Sequence, residues 1–92
     1  MIHTFACSDT ELLFNSKRVA RFANIERVAR RKLLQIHATI ILDNLRIPPG
    51  NRLELLKGDR QGIYSIRIND QWRICFEWRE NGAYSVAIID YH

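Results

Sequence analysis

An α+β fold is predicted by three features of the 92-residue chain. Apolar residues recur at helical spacing only in the first half, between Ile25 and Ile40. From Leu53 onward the period changes to two, and alternating apolar runs follow one another. Short segments rich in turn residues, Asn69-Asp70-Gln71 and Asn81-Gly82, separate the longest runs, so those runs are hairpin partners in a small antiparallel sheet.

Residues Ile2 to Ala6 alternate and predict a short strand. Ser8 or Asp9 can cap a brief helix through Phe14, because either side chain offers an oxygen to the exposed N–H groups of a first turn. The basic stretch Asn15 to Ala23 carries Lys17, Arg18 and Arg21 and has room for a helical turn. Asn24 is the expected N-cap of the long helix, whose core stripe is Ile25, Val28, Ala29, Leu33, Ile36 and Ile40. Its opposite side holds Arg27, Arg30 and Arg31 with Leu34 and Ile41, a face too apolar for open solvent and too basic for a core. A partner protein could cover it, and so could the first helix, with the arginines reaching out to water. Pro48, Pro49 and Gly50 make 43–52 a loop. A short strand is expected over Leu53–Leu56, an exposed turn over Lys57–Gly62, and longer strands over Ile63–Ile68, Trp72–Arg79 and Tyr84–Tyr91.

Length allows one small domain with a single core. Hydrophobic residues at 47% and charged residues at 26% match an ordinary globular protein. There is no basic start followed by an apolar run and no window of membrane-spanning length, so a cytoplasmic location without membrane contact is expected. Cys7 and Cys75 form neither a disulfide framework nor a zinc-ligand pattern and are expected to be reduced, packed thiols; no metal or cofactor is expected. The net charge is +4, and 11 of the 14 basic residues are Arg, whose planar fork grips phosphate at two points. That suits nucleic acid without establishing it, since many basic domains bind none. Residues 1–42 hold seven basic side chains against three acidic ones, and 43–92 hold seven against seven.

Register brings the candidate site together. If Ile68 pairs with Trp72, then Ile66 faces Ile74, Tyr64 faces Phe76 and, on the other side, Arg67 faces Arg73. An Asn81-Gly82 turn would pair Arg79 with Tyr84 and therefore Arg73 with Asp90, leaving Tyr91 pointing away and His92 on the Arg73 side. Two arginines directly opposite one another repel, and a fold tolerates that more readily when an anion sits between them; the plainer alternative is an Arg73–Asp90 ion pair with Arg67 in water. Asp90, Tyr91 and His92, where the last strand runs out, add a carboxylate, a phenol and an imidazole able to move protons.

Several stretches closely resemble the HigB-like killer toxins of the RelE/ParE toxin–antitoxin superfamily. They are Asn24 to Leu33, Pro48 to Glu54, Leu56 to Arg60, Ser65 to Ile74 and the ending Asp90-Tyr91-His92. The resemblance implies helices packed on one side of a small antiparallel sheet. It also implies a ribosome-dependent mRNA endonuclease that inhibits translation and growth, paired with a helix-turn-helix antitoxin of the HigA type, with operator DNA bound only through the complex. Carried over residue by residue, Lys57, Asp90, Tyr91 and His92 match the residues associated with cleavage. Arg73, with Arg67, matches the positions that hold phosphate. Antitoxin contact is expected on Arg27, Arg30, Arg31, Leu34 and Ile41. Two other functions stay open: a gyrase-poisoning relative of the ParE type, which would need no acid–base set, and a nucleic-acid-binding domain that stacks bases on Trp72 and Trp78.

Overall fold

The computed structural model describes residues 1–56 and 62–91, so Lys57 and His92 lie outside the described residues. Two helices, α1 (Ser8–Phe14) and α2 (Glu26–Ala38), precede four strands, β1 (Glu54–Leu55), β2 (Ile63–Arg67), β3 (Trp72–Arg79) and β4 (Gly82–Asp90). The strands form one antiparallel sheet in the order β1-β2-β3-β4, as the alternation predicts. Between α2 and β1 the chain makes short 3-10 turns at Leu42–Arg46 and Pro49–Asn51.

Neither helix is capped as expected. Cys7, extended at φ −139°, precedes α1, and Ile25 precedes α2, so Ser8, Asp9 and Asn24 do not hold the cap positions. Asp9 and Glu11 instead place negative charge in the first turn of α1, where the helix dipole favours it. Ile25, Ala29, Leu33 and Ile36 are buried as the stripe requires. The helix stops at Ala38, where Thr39 turns extended and its Oγ1 donates to the Gln35 carbonyl at 2.7 Å. Ile40 therefore leaves the stripe and is 67% exposed. Cys75 is buried, whereas Cys7 is only half-buried at the start of α1. Burial alone would raise its thiol pKa, but hydrogen bonds with Thr10 and Asp9 and the charge of Arg21 hold it below the usual value.

The predicted N-terminal strand appears as two isolated parallel bridges, Ile2 to Ala83 and Phe5 to Val86, beside β4. One sheet face packs on the helices. Ile66, Ile74, Phe76 and Ile88 meet Leu13, Phe22 and Leu33 there, and Phe22 stands edge-on to Trp72 with ring centroids 5.5 Å apart. Trp72 and Trp78 both pack against this core, so their rings serve the interior and not a base-stacking platform.

The β2–β3 register is the predicted one, with Arg67 opposite Arg73, whereas the β3–β4 register is not. The turn is Glu80-Asn81, with φ of 52° and 60°, and Arg79 pairs with Gly82. Ser85, at φ 54°, then sits at a bulge where pairing shifts between Cys75 and Glu77. The bulge has a packing cause. Ala83, Val86 and Ile88 are all buried, and spacings of three and two cannot share one strand face unless an extra residue intervenes. Left-handed backbone at Glu80 strains the turn by roughly 1–2 kcal/mol, whereas Asn81 tolerates it. Replacing Glu80-Asn81 with Asn-Gly, the pair this turn favours, should therefore raise the melting temperature by several degrees in a thermal melt.

Candidate phosphate-binding site

The register change decides which side chains meet. Asp90 lies opposite Trp72, and Arg73 lies opposite Ile89, so the predicted Arg73–Asp90 pairing is wrong by one residue. Asp90 instead accepts a hydrogen bond from Gln71 Nε2 at 3.2 Å. By the same shift Tyr91 comes round to the arginine face, where the Arg73 guanidinium carbon is 5.8 Å from its ring centre. The Tyr91 backbone N–H donates to the Gln71 carbonyl, which ties the end of β4 to the β2–β3 turn.

That turn is built by Asn69, whose Oδ1 accepts the backbone N–H groups of Gln71 and Trp72, both at 2.8 Å. On it Asp70 pairs with the Arg67 guanidinium. Arg67 thus has a carboxylate partner besides water. Arg73 is held more firmly, with a side chain 13% exposed. Its Nε donates to Ser65 Oγ at 3.0 Å, and its Nη2 donates to the Arg52 carbonyl at 2.9 Å and lies 3.7 Å from Glu54 Oε2. Arg52 has left-handed backbone angles of φ 47° and ψ 58°. Arg52, with Arg67, Asn69, Asp70, Arg73 and Tyr91, lines an open notch of about 360 Å³.

Three arginines lining one notch, beside a phenol ring, form a site that can grip a phosphate and orient an attached ring. The structure brings together Arg67, Arg73 and Tyr91, places Asp90 on the other side of β4, and adds Arg52, Asn69 and Asp70. The proline-rich loop alone gave no sign of Arg52; its sequence signal was the Pro48 to Glu54 resemblance. Among the described residues no three His, Cys, Asp or Glu side chains converge to hold a metal ion.

The expected partner face divides. Glu26, Arg27, Arg30, Arg31 and Leu34 line a second open hollow, with Leu34 51% exposed, while Ile41 is exposed at the start of the Leu42–Arg46 turn and does not line it. Arg30 is engaged within the chain. It donates to the Leu13 carbonyl at 3.0 Å and the Lys17 carbonyl at 3.4 Å and pairs with Glu26 at 3.2 Å, tying the end of α1 to α2. Arg30→Ala should therefore lower stability by about 1–3 kcal/mol, the range for charge-assisted hydrogen bonds, as a urea titration would show.

Fold and site define a small basic α+β protein with an arginine-lined notch on one face of its sheet. Its architecture is shared by a chain of the YoeB-YefM complex from Staphylococcus aureus, at a TM-score of 0.56 over 100% of this chain and 98% of that one, with 18% identity. The chain belongs to the HigB-like toxin family, RelE-like toxins of type II toxin–antitoxin systems, whose model matches residues 13–92. It is 46% identical to Toxin HigB-1 of Vibrio cholerae serotype O1 over 61 residues, which are 66% of this chain and 64% of that protein. It is 44% identical to Endoribonuclease HigB of Proteus vulgaris over 41 residues, 45% of each. The chain thus spans less than two thirds of the Vibrio relative.

Proposed function

We propose that this protein is the toxin of a type II toxin–antitoxin module and an endoribonuclease that cleaves mRNA on the ribosome, halting translation and growth. The observation that carries the reading is the arginine notch, where Arg67 and Arg73 face each other across two strands with Arg52 beside them and Tyr91 above Arg73. Asp70 and Glu54 balance part of this charge, and the net positive charge left by three arginines favours a further anion. A relative is named an endoribonuclease, which fits an RNA phosphate as that anion.

In the proposed reaction an RNA 2′-hydroxyl attacks its own phosphorus, forming a 2′,3′-cyclic phosphate and breaking the bond to the 5′ oxygen. One group takes the 2′ proton and another returns a proton to the departing oxygen, so no metal is required. His92 is the proposed proton-handling group and Lys57 a further cation, while Asp90, on the other side of β4, would act by holding the strand end through Gln71. Tyr91 orients a base, and the arginines hold the charge that builds on the phosphate oxygens. Incubating programmed ribosomes with the protein and mapping mRNA ends tests this. Cleavage supports it; intact mRNA with trapped gyrase–DNA complexes would replace it with the ParE-type activity.

The proposed partner is a HigA-like helix-turn-helix antitoxin, with operator DNA bound only by the complex and the whole module cytoplasmic. Arg27, Arg31 and Leu34 are its proposed contacts; Ile41 would belong only to a wider footprint, and Arg30 contributes through the fold. Charge reversal at Arg27 and Arg31 should weaken antitoxin affinity at least 10-fold in titration calorimetry, about 1.4 kcal/mol. An unchanged affinity would remove this face.

A further inference from the structure

One charged side chain is buried on the core side of α2. Lys32 of α2 is 8% exposed, between the buried positions Ala29, Leu33 and Ile36. Its Nζ donates to Asn51 Oδ1 at 2.5 Å. Asn51 is fully buried, and its amide nitrogen donates to the Leu45 carbonyl at 3.0 Å, Gln35 Oε1 at 3.2 Å and the Ile47 carbonyl at 3.3 Å. With acceptors on one side and an ammonium on the other, the amide has a single satisfying orientation. The next residue is Arg52, whose N–H donates to the Pro49 carbonyl at 3.1 Å and whose own carbonyl receives Arg73 Nη2. A continuous polar path therefore runs from α2 through Lys32, Asn51 and the Arg52 carbonyl to Arg73.

We propose that Lys32 and Asn51 are positioning residues for the anion notch, fixing the Arg52 backbone that aims Arg73. The inference rests on reading the notch as a phosphate site. Stability alone gives little reason for an ammonium here. Burial, and then the charges of Arg31 and Arg67, push the Lys32 pKa below the ordinary lysine value, so folding the charged form is opposed. A methionine would fill the same channel without that penalty, though it would leave the fully buried Asn51 Oδ1 without its donor. What methionine cannot do is orient Asn51, and a hydrogen bond fixes its partner most strongly where water is excluded.

Lys32→Met is the test, with Asn51→Ala as its partner. Three quantities are read on the purified chain without ribosomes: the melting temperature, the Arg73 Nε–H resonance, and the affinity for inorganic phosphate. The fourth is the single-turnover cleavage rate on saturating ribosomes. Lys32→Met should melt close to the parent, because removal of the buried charge offsets the donor lost from Asn51 Oδ1. It should shift the Arg73 resonance and weaken phosphate binding and cleavage about 10-fold each, less than the roughly 10²-fold that a misplacement of about 1 Å causes. The double variant should be no worse than the weaker single one, because both break one path. If Asn51→Ala fails to fold, Lys32→Met decides alone. An unmoved Arg73 resonance with parental phosphate affinity would overturn the proposal and leave Lys32 a packing residue. Because these readouts need no ribosome, loss of the endonuclease reading would show separately, as a parent protein that binds phosphate yet cleaves no mRNA.

Discussion

Arg73→Ala is expected to slow single-turnover mRNA cleavage on saturating ribosomes by roughly 10² to 10³, the range for removing one aimed donor from an oxyanion-type site. Ribosome binding should change little, since the docking surface keeps its other arginines. The expectation follows from how firmly the side chain is aimed. Ser65 Oγ, the Arg52 carbonyl and Glu54 hold it, so it meets a phosphate without reorganising at the moment of reaction. Sequence reasoning about like-charge relief predicts that stability holds or rises on this change. The observed hydrogen bonds reverse that sign. Ser65 is fully buried and would lose its donor, so a loss of about 1–3 kcal/mol is expected, offset in small part by relief of the Arg67 repulsion. Arg73→Lys should recover little, because one ammonium cannot reach both Ser65 and Arg52 in the geometry of a fork. A variant that docks poorly but cleaves at the parental saturated rate would make Arg73 a docking cation instead.

Much of this site was legible because hydrophobic alternation is strict in β2 and β3. Ile66, Ile74 and Phe76 must all enter the core, which leaves Arg67 and Arg73 no choice but the opposite face, facing each other. The β4 register differs from expectation because the Asn81-Gly82 turn signal conflicts with the burial pattern, and burial wins. A turn at Asn81-Gly82 would have put Val86 and Ile88 on the polar face, against their spacing, and a bulge near Ser85 was the remedy available in the sequence. The caps failed for a different reason. Asn24 is a good cap in isolation, but the buried Ile25 is drawn into the cap position by packing, which local propensity does not weigh. Lys32 was hidden outright. Nothing in a helical wheel tells a snorkelling lysine from one bonded to an asparagine 19 residues away.

Removing Tyr91 and His92 together is expected to abolish mRNA cleavage while the far-ultraviolet circular dichroism spectrum stays that of the parent. The spectrum should hold because β4 ends at Asp90 and the last buried residue of its core face is Ile88, so the cut lies beyond the pairs that fix the sheet. Tyr91 supplies a backbone hydrogen bond to Gln71 and a ring above Arg73, and deleting both should cost about 1–2 kcal/mol. Activity should vanish because the same cut removes the ring that flanks the phosphate grip and a proposed proton carrier, and general acid–base groups supply about 10² to 10⁴ in rate. Tyr91→Phe separates the two roles of the phenol. The ring stays over Arg73 and only the hydroxyl goes, so a mild effect assigns Tyr91 to orienting a base, while a loss as deep as the deletion assigns it to proton transfer. Full toxicity of the truncated protein in growing cells would exclude Tyr91 and His92 from the reaction and leave the arginine notch as a binding site alone.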